Sequence, residues 1–188
     1  VEAPVYEAFC ARFRERILAL KTGDPLDEAN YVGPLARSDL RDTLASQVEA
    51  SLSGGAELLC GGERIEGDGF YYQPTALGKV GGDMPASCEE LFGPVAAILR
   101  AGDEAEALRL ANATSYGLGG SVWSEDIERG ERFARRLACG LAFVNEMVKS
   151  DPRVPFGVVK RSGYGRELAE PGLREFLNIK TLWIAAES

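Results

Sequence analysis

Glu89-Glu90-Leu91-Phe92-Gly93-Pro94 is followed, some sixty residues later, by Pro155-Phe156-Gly157 and Lys160-Arg161-Ser162-Gly163-Tyr164-Gly165-Arg166-Glu167. Between these two glycine- and proline-punctuated blocks the apolar rhythm is regular. Val95–Arg100 reads as a strand with a nearly continuous apolar run. Asp103–Ala111 follows as a helix with Ala105, Leu108 and Ala111 on one face. Ser121-Val122-Trp123 is a strand, Asp126–Ala138 a helix with Ile127, Phe133 and Leu137 inward, and Leu141–Val144 another strand. Strands of apolar character alternating with helices predict an α/β fold, a mostly parallel sheet covered by helices.

Working outward, residues 4–20 carry Tyr6, Phe9, Phe13, Ile17 and Leu20 at the three-and-four spacing of one helical face. Residues 38–53 carry Leu40, Leu44, Val48 and Leu52 likewise, with Ser38 or Asp39 as cap and Gly54-Gly55 as stop. Ala56–Cys60 reads as a short strand, and Phe70–Tyr72 and Ala76–Val80 as extended segments around Pro74. At the other end, Pro171–Leu177 is a short helix. Thr181-Leu182-Trp183-Ile184-Ala185 is then an apolar strand that needs an edge to pair with, in this chain or in a neighbouring subunit. The expected organisation is a domain over 1–168 and a helix with an oligomerisation strand over 169–188.

Composition narrows the function. The 188 residues are 45% hydrophobic and 27% charged, ordinary for a protein with a buried core. Twenty-nine acidic residues against 21 basic ones give a net charge of -8, which repels phosphate backbones and anionic membranes. Neither nucleic acid nor membrane is an expected partner. No leader of basic then apolar residues is present, so a cytoplasmic location is expected. The first residue is Val1 rather than methionine, and a processed, truncated or excised chain is expected.

There is no histidine. Ser-His-Asp and Cys-His arrangements are therefore excluded within the chain, as are histidine-containing zinc sites. Cys10, Cys60, Cys88 and Cys139 form no C-x-x-C pair and match no metal spacing, so no metal is expected. Cys10 and Cys60 lie in apolar patterns, and Cys139 ends a helix. The two carboxylates after Cys88 raise a thiol's pKa and reduce its thiolate fraction. No G-x-G-x-x-G and no P-loop is found. Adjacent side chains on a helix diverge by about 100°, so Glu89 and Glu90 do not converge on one bond; on spacing alone they are two solvated carboxylates. Phe156, in a loop after a strand, either walls a pocket or packs in a core.

The quoted blocks, with Gly61-Gly62, Gln73-Pro74-Thr75, Ala111-Asn112, Tyr116-Gly117-Leu118 and Gly140 with Val144-Asn145, resemble the landmarks of the aldehyde dehydrogenases in their order. Lys149–Arg153, Lys160–Leu168 and Arg174–Thr181 resemble the succinate-semialdehyde dehydrogenase branch. The resemblance covers essentially the whole chain and implies the C-terminal, catalytic-domain part of such an enzyme. In that chemistry a cysteine thiolate attacks the aldehyde, hydride leaves for NAD or NADP, and a glutamate-activated water releases the acid.

The resemblance implies that Glu90 holds the nicotinamide ribose hydroxyls and that Phe92 packs near the nicotinamide. It implies that Phe156 walls the aldehyde pocket and that Val148–Arg153 meets the far end of the substrate. Ser150 and Arg153 would there bind a carboxylate. The family's nucleophilic cysteine, general-base glutamate, oxyanion asparagine and dinucleotide domain are expected upstream of Val1, so the chain contributes no catalytic residue and is expected to be inactive alone. A small-molecule aldehyde and a homo-oligomeric partner through the terminal strand are expected. Val158 stands where the family usually has glycine, which puts the loop behind Phe156 in question. The alternative is an inactive remnant serving as an interaction or oligomerisation module.

Overall fold

The computed structural model describes residues 1–186. They form two compact units, one over Val1–Thr114 and a second from Ser115 onward.

In the first unit, α1 (Ala3–Leu18) and α2 (Ser38–Ser53) precede β1 (Glu57–Cys60), β2 (Arg64–Ile65), β3 (Tyr71–Tyr72), β4 (Thr75–Gly78), α3 (Pro85–Cys88), β5 (Val95–Ala97) and α4 (Glu104–Asn112). The helix over 38–53 falls where its periodicity places it. Its cap differs: the N-cap residue is Arg37, which makes no side-chain capping bond. Its guanidinium instead grips Asp39 in a fork of 2.9 and 3.0 Å. In α4, Asp103 does cap, its carboxylate accepting the Glu106 N–H at 2.8 Å.

β4 is central in a three-stranded sheet, antiparallel to β1 and parallel to β5. All four of its residues are buried, as expected for a strand covered on both faces. One face receives α2 through Leu44, Ala45 and Val48, which pack with Tyr72, Leu77 and Val80. Tyr6 and Cys10 of α1 pack with Ile98 in a second cluster. Thr75, fully buried, ties three stretches together. Its hydroxyl accepts the Gly62 N–H (2.8 Å) and donates to the Gln73 carbonyl (2.7 Å), and its N–H donates to the Pro94 carbonyl (2.8 Å).

The second unit holds β6 (Tyr116–Gly117), β7 (Gly119–Val122), α5 (Ile127–Ala134), β8 (Leu141–Val144), β9 (Phe156–Gly157), β10 (Val159–Lys160), β11 (Arg166–Glu167) and α6 (Ala169–Arg174). β7 and β8 pair in parallel across α5, the βαβ unit that the sequence rhythm predicts. The other pairs are short and antiparallel, β10 with β6 and β11 with β9.

The sheet architecture thus departs from a mostly parallel sheet. Among the described residues two strand pairings are parallel and four antiparallel, in small separate sheets. Glycines explain part of this. Gly61, Gly62, Gly67 and Gly69 all take positive φ, a conformation that reverses the chain locally and pairs β2 with β3 as a hairpin. Helix α5 is shorter than expected, and Ile127 is 66% exposed rather than inward.

The terminal segment forms no strand among the described residues. Thr181–Ala185 takes no strand pairing, and Leu182, Trp183 and Ile184 are exposed. A strand exists only with a hydrogen-bonded neighbour, and no element among the described residues supplies one. Residues 187–188 of the expected tail lie outside the described residues.

Candidate functional site

The Glu89–Pro94 loop leaves the end of α3 and enters β5. Its shape comes from two successive three-residue turns. Gly93 N–H donates to the Leu91 carbonyl (3.0 Å) and Val95 N–H to the Gly93 carbonyl (2.8 Å). Phe92 is the centre of the first turn, and its ring is pushed outward, 62% exposed. The Glu90 side chain is exposed too, and its carboxylate has no hydrogen-bond partner among the described residues. The loop thus presents a free double acceptor and a free aromatic face two residues apart.

This loop lies against one stripe of α2. A Cβ on Gly93 would come within 2.4 Å of Leu44 Cδ2, so the backbone can approach only because Gly93 has none. One turn along, Gln47 Nε2 donates to the Glu89 carboxylate (2.8 Å) and to the Glu90 carbonyl (3.2 Å). A further turn along, fully buried Ser51 accepts the Ala86 N–H (3.0 Å) and donates to the Gln47 carbonyl (2.8 Å). Sequence reading passed over Gln47 and Ser51. The available signal was their polarity at positions three residues after the apolar Leu44 and Val48.

Ser150, Arg153 and Phe156 lie in the second unit, after β8. Asn145 starts that segment at φ 54 and holds the Ser124 backbone from both sides. Its Oδ1 accepts the Ser124 N–H and its Nδ2 donates to the Ser124 carbonyl, each at 2.8 Å. Both cations of the loop have partners. Lys149 meets Glu146 at 2.8 Å, and Arg153 grips Asp151 through Nε–Oδ1 (2.9 Å) and Nη2–Oδ2 (2.6 Å). The Arg153 guanidinium, helped by its backbone N–H, holds the Asp151 carboxyl well below the usual carboxylate range. Arg153 therefore stands as half of an exposed ion pair, and Ser150 is exposed without a hydrogen bond among the described residues.

Phe156 is half-buried in β9, opposite Glu167 of β11. With Tyr164, Arg166 and Glu175 it lines a concavity of about 250 Å³. Val158 is not among the positive-φ residues. The position does not need glycine here, and Arg166 Nη1 supports the turn by donating to the Val158 carbonyl (3.0 Å).

The four cysteines offer no activated thiol arrangement. Cys10 and Cys60 are buried, Cys139 Sγ donates to the Leu141 carbonyl (2.9 Å), and the exposed Cys88 Sγ donates to the Gly82 carbonyl (3.1 Å). Among the described residues no cluster of three or more His, Cys, Asp or Glu is placed to hold a metal ion, and no helix is long and apolar enough to cross a membrane.

The Glu90 carboxylate and the Phe92 ring thus stand exposed side by side on a loop packed closely at Gly93, on an α/β scaffold. Comparison with known proteins places that scaffold. The family model described as "Aldehyde dehydrogenase family" matches residues 1–182. A succinate-semialdehyde dehydrogenase (NADP(+)) of Mycobacterium ulcerans is 47% identical over 182 residues, 97% of this chain and 40% of that protein. One of Mycolicibacterium paratuberculosis is 47% identical over 186 residues, 99% of this chain and 39% of that protein. The crystal structure of succinic semialdehyde dehydrogenase from Streptococcus pyogenes with NADP+ superposes with a TM-score of 0.93 at 35% identity, over 99% of this chain and 41% of that one. Betaine aldehyde dehydrogenase from Staphylococcus aureus with NAD+ gives 0.89 at 32% identity, over 94% of this chain and 36% of that one. The chain belongs to the aldehyde dehydrogenase family. It spans about 40% of the length of the curated relatives it matches.

Proposed function

We propose that this chain supplies the cofactor-docking loop and part of the substrate wall of an NADP- or NAD-dependent aldehyde dehydrogenase that oxidises succinate semialdehyde to the acid. The observation that carries the reading is the Glu90–Phe92 edge, an unpartnered carboxylate and an outward ring on a loop pinned at Gly93. A carboxylate accepts two O–H donors at once, as a ribose diol requires. Phe92 offers the flat apolar face that positions an aromatic ring. The nicotinamide, when bound, supplies the hydride acceptor. The substrate and cofactor names come from the relatives, none of which is named as a non-enzymatic module.

In this reading Phe156 walls the aldehyde pocket, and Ser150 with Arg153 receives the substrate's carboxylate. Residues 1–168 form the catalytic-domain portion. Residues 169–188 carry a segment that becomes a strand only against another subunit, which fits the exposed Leu182, Trp183 and Ile184. The nucleophilic cysteine and general base come from the part of the full-length enzyme that this chain does not span.

Two variants of the full-length enzyme test it. Glu90→Gln should weaken cofactor binding by roughly tenfold, the loss of a charged acceptor. Ser150→Ala with Arg153→Ala should erase the preference for succinate semialdehyde over a neutral aldehyde of equal length. Unchanged cofactor affinity in the first, or unchanged preference in the second, refutes the corresponding role.

A further inference from the structure

The stripe Leu44, Gln47, Ser51 runs along α2 at helical spacing, and each member meets a different point of the segment from Ala86 to Gly93. Leu44 and Ser51 do so from full burial. Gln47 is half-buried, and among the described residues it is the one side chain hydrogen-bonded to Glu89–Gly93. Its amide has two N–H hydrogens and finds two acceptors, the Glu89 carboxylate and the Glu90 carbonyl. The opposite amide orientation would turn an oxygen toward both acceptors, so the geometry dictates the placement.

We propose that Gln47 is a positioning residue for the cofactor: it fixes the Glu90 backbone and draws the Glu89 carboxylate aside, leaving the Glu90 carboxylate alone to face the ligand. The proposal rests on the reading of Glu90 as the ribose acceptor. Two properties follow from the contacts. Gln47 holds Glu90 by its carbonyl and not by its carboxylate, so it sets position without competing for the ligand. It also engages the one neighbouring carboxylate that would otherwise sit beside Glu90 as a second charge.

The test uses the full-length dehydrogenase with Gln47→Leu, Gln47→Lys and Glu90→Gln. Gln47→Leu removes both hydrogen bonds at similar volume. It should raise the cofactor KM roughly three- to tenfold, with kcat within about twofold. Amide exchange over Glu89–Gly93 should quicken while that of the α2 interior stays protected. Gln47→Lys keeps a donor of similar reach and should return the KM to within about twofold of the parent. A role confined to stability would instead lower the protection of all of α2 and leave the KM in place, and that result overturns the proposal. Should Glu90→Gln weaken cofactor binding while Gln47→Leu does not, the positioning role falls and the Glu90 reading stands. Should Glu90→Gln have no effect, that reading falls and the proposal falls with it.

Discussion

Replacing Gly93 by alanine tests the packing that presents the Glu90–Phe92 edge. An ideal Cβ there would stand 2.4 Å from Leu44 Cδ2 and 3.4 Å from Leu35 Cδ2. Gly93 is not at positive φ, so the cost is steric and not conformational. Leu44 is 1% exposed and packed among Val48, Tyr72 and Leu77, and its methyl has little room to retreat. Overpacking of this kind costs about 1–3 kcal/mol. At a urea slope of about 2 kcal/mol/M the midpoint should fall by roughly 0.5–1.5 M with the slope unchanged. Amide exchange of α2 is the appropriate companion signal, because the chain has two compact units and a single probe averages over both.

A double-mutant cycle makes the reasoning refutable. Leu44→Ala alone should cost about 2–5 kcal/mol, through a cavity beside Gly93. In that background Gly93→Ala should be close to neutral, because the new methyl enters space the leucine vacated. The coupling should exceed about 1 kcal/mol. Equal costs for Gly93→Ala in both backgrounds, or a cost below about 0.5 kcal/mol in the parent, would show that Leu44 does not limit the approach of the loop.

Three further outcomes are expected. Gly140→Ala would put a Cβ 1.9 Å from the Gly157 carbonyl oxygen; backbone cannot swing aside, so stability should drop by more than about 3 kcal/mol, read from soluble yield and thermal unfolding. Tyr6 accepts the Lys79 N–H at 2.7 Å from a buried position, and burial is the main cause that raises its phenol pKa above the ordinary 10.0; a raised pKa means stability present below the ordinary value and lost as pH climbs through the folded one, so alkaline titration should unfold the first unit and Tyr6→Phe should blunt the pH dependence while lowering stability at neutral pH. Asp151→Asn in the full-length enzyme should release Arg153 and lower the KM for succinate semialdehyde without changing that for neutral aldehydes; because Arg153 holds the Asp151 carboxyl below its ordinary 3.8, the parent pair stays ionised at every practical assay pH, its contribution being lost only as pH falls well below that value, and the KM should show no step from it.

The local elements were legible and several pairings were not. Helix 38–53 and strand 141–144 announce themselves through period and glycine punctuation, and the structure places both at the expected residues. Asp103 caps as its side chain allows. The expected mostly parallel sheet holds only in part, as an α/β fold with small mixed sheets, because periodicity describes a strand's faces and not its neighbour. Positive-φ glycines turned the stretch between β1 and β4 into a hairpin, and β1 pairs antiparallel to β4. Thr181–Ala185 is unpaired among the described residues for a related reason. Its apolar side chains state that a cover is wanted, but a ladder requires a second backbone, and composition cannot say whose.

The site shows the same division at finer scale. Glu90, Phe92 and Phe156 are singled out by motif likeness alone, since spacing leaves two adjacent glutamates as solvated charges. Structure adds the physical reason that they differ: Glu89 is spent on Gln47, whereas Glu90 is left with its carboxylate free. The pair of identical residues acquires two different surroundings from one helix lying alongside. Arg153 is the converse case. Its positive charge suggests an anion receptor, yet Asp151, two residues earlier, already occupies two of its N–H groups. If Arg153 receives a substrate carboxylate as proposed, that carboxylate must displace Asp151 or bind the remaining face of the guanidinium, whose Nη1 lies outside the fork. Discrimination by such a group is a difference between two carboxylates competing for one cation. Its size is set by how much better the substrate satisfies the fork than Asp151 does, not by the charge of Arg153 alone.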